Sequence, residues 1–187
     1  MRLFRKTIAS LLVALVLLAP PPSFAASGNS LLIFTPLQNE PPTSNFASFD
    51  FRNAHPVLDF DDTTQETAIF TAVLPRNYSG GGITVYVHWA ATSATSGTIG
   101  WDVAIERIGD GQQDIDADGF ATAQTITAAT TSATSGNVTI TNVAITDGAN
   151  MDSVAVGEAF RIRIRRDVAN DTVTGDAELV AVEIKET

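Results

Sequence analysis

The chain has 187 residues, with 11 Lys/Arg against 21 Asp/Glu for a net charge of −10, and it contains no cysteine. The missing thiols exclude a disulfide scaffold, thiol catalysis and Cys-ligated zinc. The acidic balance excludes nucleic acid and anionic lipid as partners, because such binding rests on neutralising phosphates.

Arg2, Arg5 and Lys6 precede an apolar run from Ile8 to Ala19, and "PPPSFA" follows with small residues at Ser23 and Ala25. This is the layout of a cleavable secretory signal, with an apolar core too short for a membrane span. Residues 1–25 are therefore expected to be a signal peptide cleaved after Ala25, and 26–187 a single exported domain, extracellular or at the cell surface. Removing the three leader cations from 11 leaves eight Lys/Arg against 21 Asp/Glu, a net −13. No later segment is apolar and long enough to cross a bilayer. A domain of this length buries roughly 70% of its unfolded surface, which accounts for export without disulfides.

Residues 26–48 read as an extended arm. "LLIFTPLQNEPPTSNF" offers a strand at 31–35 and then a proline-stiffened stretch. The strand either folds back or is lent to a neighbouring subunit, so Leu31, Leu32, Ile33 and Phe34 are candidate subunit contacts. Next comes "HPVLDFDD", where His55, Asp59, Asp61 and Asp62 lie close together; an end-of-strand turn explains them better than a metal site, since the chain has only two histidines.

Short runs rich in Val, Ile, Thr, Phe and Ala, divided by Gly, Asn, Asp, Ser and Pro, predict further strands at 56–60, 67–74, 83–91, 98–108, 120–129, 137–146, 158–166 and 176–185. A helical turn fits 148–158. Eight to nine strands at this spacing predict an all-β fold, an antiparallel β-sandwich of jelly-roll type. Read as a hairpin with its loop at 93–97, strands 83–91 and 98–108 place Trp89 opposite Trp101, Val87 opposite Val103 and Val85 opposite Ile105 on one apolar face. The same register puts Tyr86, His88, Asp102 and Glu106 together on the other face. That cluster is either a ligand surface or an ordinary wet sheet face.

"DIDADGF" has Asp114, Asp116 and Asp118 at alternate positions ahead of Gly119. The spacing begins like an EF-hand loop, but position 12 is Thr125 and not Glu, and the flanking segments read as strands. Two readings stand: a calcium loop of another kind completed by Asp110, or a solvated acidic loop. Further on, Arg161, Arg163 and Arg165 alternate with Phe160, Ile162 and Ile164, lining one face of a strand. They read either as ion pairs with Glu178 or Glu183 on the last strand, or as a subunit contact meeting the acidic surface of a neighbour.

Taken together, "FASFDFRNAHPVLDFDD", "AVLPRNYSGGGITVYVHWAATSATSGTIGWDV" and "GDAELVAVEIKET" resemble small β-sandwich proteins of tailed-phage and bacterial genomes. The resemblance covers about residues 30–187. It implies a structural role of the fibre or decoration kind, with no active site to carry over. The leader departs from virion proteins, which assemble in the cytoplasm, and points to a cell-surface or extracellular assembly.

The expected function is thus a non-enzymatic, exported structural subunit that forms a homo-oligomer or polymer. The alternative is a carbohydrate-binding β-sandwich module, calcium-stabilised if the Asp loop holds an ion. Nothing in the sequence sets one carboxylate apart for acid–base work.

Overall fold

The computed structural model describes residues 28–111 and 114–187, and the expected signal peptide lies outside them. Ten strands alternate with short turns: β1 (Ser30–Phe34), β2 (Ser48–Arg52), β3 (His55–Phe60), β4 (Thr67–Val73), β5 (Ile83–Ala91), β6 (Thr98–Ile108), β7 (Gln124–Thr130), β8 (Thr139–Ile145), β9 (Ala159–Arg166) and β10 (Ala177–Glu186). They form two antiparallel sheets, one in the order β2-β3-β10-β5-β8 with β1 also on β10, the other β4-β9-β6-β7. We call them sheet A and sheet B. The fold is an all-β antiparallel sandwich of jelly-roll type, as the strand spacing predicts. The helical turn expected within 148–158 is a single 3-10 turn at Ala149–Met151.

Alternation drives this architecture. Ile83, Val85, Val87, Trp89 and Ala91 on β5 point into the sandwich, while Ile99, Trp101, Val103 and Ile105 on β6 meet them from the other sheet. Trp89 and Trp101 have ring centres 6.1 Å apart, and Phe60 packs edge-on against Trp101 at 5.2 Å. Truncating a fully buried tryptophan of this kind to alanine costs about 3–5 kcal/mol.

The sequence register of 83–108 is corrected here. β5 and β6 are not hairpin partners but lie in opposite sheets, β5 between β10 and β8 and β6 between β9 and β7. The six residues of "TSATSG", 92–97, form an arch over the ~10 Å between packed sheets. The second copy of that hexapeptide, 131–136, makes the equivalent crossing from β7 to β8. The apolar pairs are therefore right as a buried set, yet they meet face to face through the core.

β2 was not expected as a strand. It pairs with β3 from Ser48↔Asp59 to Arg52↔His55 through a two-residue turn in which Asn53 and Ala54 have φ of 47° and 64°. Two positive φ values are what a type I′ hairpin demands, and Asn-Gly is the usual signal for it. With Ala at the second position the signal is hidden, and the left-handed backbone costs about 1 kcal/mol.

The arm folds back on its own domain. β1 pairs with β10 at Phe34↔Val182, and Phe34 is buried against Phe70 with ring centres 5.2 Å apart. Beyond a 3-10 turn at Pro36–Gln38, the arm follows the edge of β4: Glu40 N–H donates to Ile69 O at 2.8 Å, Ala47 N–H to Thr67 O at 3.0 Å and Thr67 N–H to Asn45 O at 2.9 Å.

One charged residue joins the sheets. Arg166, at the end of β9, is wholly buried and ion-paired with Asp171. Its Nη1 donates to Phe60 O at 2.8 Å and Gly175 O at 2.9 Å, and its Nη2 to Val173 O at 2.9 Å. Removing one partner of a buried pair costs about 3–5 kcal/mol, because the other charge is left uncompensated. Arg166→Met should therefore lower the unfolding free energy by about that amount, and Arg166→Met with Asp171→Asn should recover part of it. Urea unfolding followed by tryptophan fluorescence measures both; a loss under about 1 kcal/mol for the single variant would refute the clamp.

Candidate functional site

The outer face of sheet A carries a groove of about 470 Å³, whose lining includes Arg52, His55, Val57, Ala90, Val138, Glu178 and Val180. Each arrives there for a local reason. The I′ turn returns the chain so that Arg52 stands beside His55. A register shift in β10 between Leu179 and Ala181 lets Leu179 and Val182 both face the core and inserts Val180 between them. Val57 and Ala90 are almost fully buried and form the floor, while Val138 rises from the arch before β8, 51% exposed.

The polar end of the groove is fixed by Arg52. Its guanidinium is ion-paired with the buried Glu178, and it donates to Ala91 O at 3.1 Å and Thr92 O at 3.3 Å. The arch passes close beneath it at Gly136. A Cβ at this position would lie 2.5 Å from Arg52 Nη2 and push the guanidinium aside, and a φ of 77° favours glycine there. Arg52 and Glu178 are thus presented together, ion-paired and tied to the β5 end, over an apolar floor.

Asp59, opposite Glu178 in the β3–β10 pairing, is the outlying acid of this face. Its Oδ1 is buried without a hydrogen-bond partner. Burial first, and then the charges of Glu178 and Asp50, push its pKa up to about 6. No sequence pattern signals this, because it takes strand pairing to bring the acids together.

The structure divides the cluster expected at Tyr86, His88, Asp102 and Glu106. Tyr86 and His88 lie on the outer face of sheet A, and Lys185 Nζ sits 5.4 Å from the Tyr86 ring centre. Asp102 and Glu106 lie on the outer face of sheet B, buried in ion pairs with Arg165 at 2.7 Å and Arg161 at 2.8 Å. The expected partners of the arginine row are corrected with them. Glu178 belongs to Arg52, Glu183 accepts from Ser30 Oγ, and the row pairs with β6 inside its own sheet.

Of the arm residues expected as subunit contacts, Phe34 is buried, Leu31 and Leu32 are half-buried, and Ile33 is exposed. In the Asp-rich loop, Asp114 Oδ1 accepts from Asp116 N–H at 3.0 Å, and Asp114 O accepts from Ala117 and Asp118 N–H. Asp110 precedes this turn in the same loop. Among the described residues no three His, Asp or Glu side chains gather as a metal site. In "HPVLDFDD", Asp61 closes its own turn, and bonds from Thr63 and Thr64 hold its pKa down at about 2. Asp62 accepts from Gly175 N–H at 2.6 Å.

Neither a family model nor a curated protein matches the chain. Among solved structures it is similar to a xylan-binding module of type CBM15, at 10% identity and a TM-score of 0.45, covering 80% of this chain and 89% of that one. It is also similar to the CBM22-2 xylan-binding domain of Paenibacillus barcinonensis Xyn10C, at 11% identity and a TM-score of 0.43, with coverage of 80% and 92%. A third is CBM27-1 of Caldicellulosiruptor saccharolyticus in complex with mannohexaose, at 12% identity and a TM-score of 0.40, with coverage of 80% and 90%.

The Asp59 environment gives a pH test. Its folded pKa lies above the unfolded value of 3.8, so its contribution to stability is fully present below about pH 4 and is lost as the pH rises through about 6. Asp59→Asn should flatten the stability profile between pH 4 and 6. At pH 7 and above it should raise Tm by about 2–4 °C, corresponding to roughly 1 kcal/mol once solvent screening is allowed for. Thermal unfolding by circular dichroism at pH 4, 6 and 8 checks this, and parallel profiles for the two proteins would refute it.

Proposed function

We propose that the chain is an exported, non-catalytic module that binds a neutral glycan chain along the outer face of sheet A. The observation that carries this reading is the groove. Val57, Ala90, Val138 and Val180 give it an apolar floor and wall, and the Arg52–Glu178 pair gives it a fixed polar end. A sugar ring has an apolar C–H face and a rim of hydroxyls that both donate and accept. A site that recognises it needs apolar surface with a few positioned polar groups, and these surround the groove. Glu178 serves here as an acceptor locked by Arg52, and Arg52 as the donor beside it. The leader-like segment at 1–25 supports export of the chain.

Self-association is favoured by a separate observation. β2 is an edge strand of sheet A, and Phe49 and Phe51 on it are 46% and 58% exposed, stacked edge to face at 5.1 Å. Leu37 and Phe46 of the arm are exposed as well. An apolar, unpaired edge is a template for pairing with a second copy. Sedimentation velocity across a hundredfold concentration range tests this reading. A dimer or polymer that Phe51→Lys converts to monomer supports it, and a monomer throughout refutes it.

The glycan reading is tested by affinity electrophoresis and calorimetry against soluble xylan, mannan, β-glucan and galactan. At least one should retard the protein. Val138→Asp, which places a charge in the groove without entering the core, should weaken that binding about tenfold or more, equivalent to about 1.4 kcal/mol. Arg52→Lys, which keeps the charge but loses the fork, should weaken it similarly. No retardation by any of the four, or retardation unchanged in both variants, would overturn the proposal. Running each titration with calcium and with EDTA decides whether an ion at Asp110, Asp114, Asp116 and Asp118 takes part.

A further inference from the structure

Across the β9–β6 ladder the arginine row meets one carboxylate fewer than it has arginines. Facing it on β6, Asp102 stands opposite Arg165 and Glu106 opposite Arg161, but Ala104 stands opposite Arg163. On the other side Arg163 faces Ile69 of β4, which accepts nothing. Among the described residues no carboxylate pairs with Arg163, although the chain holds 21 Asp/Glu against 11 Lys/Arg. In so acidic a chain, a half-buried arginine without a counter-ion runs against what composition predicts.

Its surroundings show the same deficit. The Nε atoms of Arg163 and Arg165 are both buried without a hydrogen-bond partner. Burial, and then the neighbouring charge of Arg165, push the pKa of Arg163 below the usual arginine value, and the diagonal charges of Asp102 and Glu106 only partly oppose them. The Arg163 guanidinium lies over the Phe120 ring, 4.7 Å from its centre, and Arg161 lies over the same ring at 5.4 Å. In front of Arg163 and Arg165 opens a pocket of about 310 Å³, bounded by Phe120 and by Ser44, Asn45 and Gln65.

We propose that this pocket on sheet B binds a sugar acid: a single carboxylate against Arg163, on a ring whose hydroxyls meet Asn45, Ser44 and Gln65. The charge count selects a monoanion. Across the ladder three guanidinium groups face two carboxylates, and with Asp118 already close enough to act on Glu106 a phosphate dianion would crowd the acids there, so a single negative charge fits. The guanidinium fork matches a carboxylate in two parallel hydrogen bonds. The uncharged amides and hydroxyl suit ring hydroxyls and not a second charge. At about 310 Å³ the pocket has room for one small ring. The net negative charge of the chain opposes approach of an anion from afar, but at about 0.15 M salt this field is screened beyond roughly 8 Å. This site lies on the opposite sheet from the groove and does not depend on the glycan reading made there.

Calorimetry and heteronuclear NMR on the full exported chain, with sodium glucuronate, glucose and inorganic phosphate as probes at 0.15 M salt, test the assignment. Glucuronate should bind at one site with shifts confined to Arg163, Phe120, Asn45 and their neighbours, and glucose should not bind there. Arg163→Gln, which removes a buried and unpaired charge and so should fold, should weaken glucuronate about ten- to a hundredfold. Ala104→Asp, which supplies the missing carboxylate from within, should abolish binding and raise Tm. Val138→Asp in the groove should leave glucuronate binding unchanged. Absence of glucuronate binding, equal binding by Arg163→Gln, or phosphate binding as tight as glucuronate would each overturn the proposal.

Discussion

Both sheets depend on Arg166. It belongs to β9 of sheet B, yet its hydrogen bonds go to Phe60 at the end of β3 and to Val173 and Gly175 ahead of β10, both strands of sheet A. A hydrophobic core presses two sheets together but does not set how one lies along the other. A guanidinium with donors in a fixed fork sets that relation through the backbone, because each carbonyl must lie on a donor axis. Desolvating the Arg166–Asp171 pair is costly, and the pair offsets that cost only because every guanidinium nitrogen also finds a partner. In return, the strands that carry Val57, Asp59 and Glu178 start from a fixed point. The groove is therefore positioned from the opposite sheet.

Pleating then separates the two polar faces. On each inner strand the apolar residues meet in the middle, and whatever alternates with them is thrown outward on one side or the other. Sheet A receives Arg52, Asp59, Glu178, His88 and Tyr86, and sheet B receives the Asp102, Glu106 and arginine ladder. The two faces differ in kind. On sheet A the single Arg52 is tied to one of two neighbouring acids, so acid is in excess and Asp59 carries the consequence in its raised pKa. On sheet B arginine is in excess, and Arg163 carries the consequence. Opposite local imbalances thus sit within one acidic chain.

How much of this was legible follows from what each signal measures. Strand existence was readable because β-branched and aromatic runs between turn residues report a half-buried pleated surface, and the nine expected strands are all present within a few residues of their expected ends. β2 escaped because a turn of Asn53 and Ala54 lacks the glycine that marks a I′ hairpin. Partner choice was not legible. The pattern of Trp89, Val87 and Val85 against Trp101, Val103 and Ile105 is the same whether two strands share a sheet or face each other across one, since both arrangements bury the same alternating set. Only the length of the connection distinguishes them, and six residues exceed what a tight hairpin needs. The error in partner choice is what merged Tyr86 and His88 with Asp102 and Glu106. It also hid Arg52, which reaches its site only through a strand that had not been seen.

The same limit explains why the sequence leaves the arginine row open between ion pairs with Glu178 or Glu183 and a subunit contact. Counting charges along β9 and the last strand suggests that three arginines find acids somewhere, and in a chain with this excess of carboxylates that is a reasonable default. Register decides otherwise, because antiparallel pairing permits each outward residue one direct neighbour on each side, and for Arg163 these are Ala104 and Ile69. Asp102 and Glu106 act on Arg163 only from the diagonal, because each is ion-paired with its own opposite number, Asp102 with Arg165 and Glu106 with Arg161. An uncompensated charge in a partly buried position is costly unless something supplies the counter-charge. In this chain Arg163 packs over Phe120 and also borders a pocket open to solvent, and the proposed sugar carboxylate would supply that charge from outside.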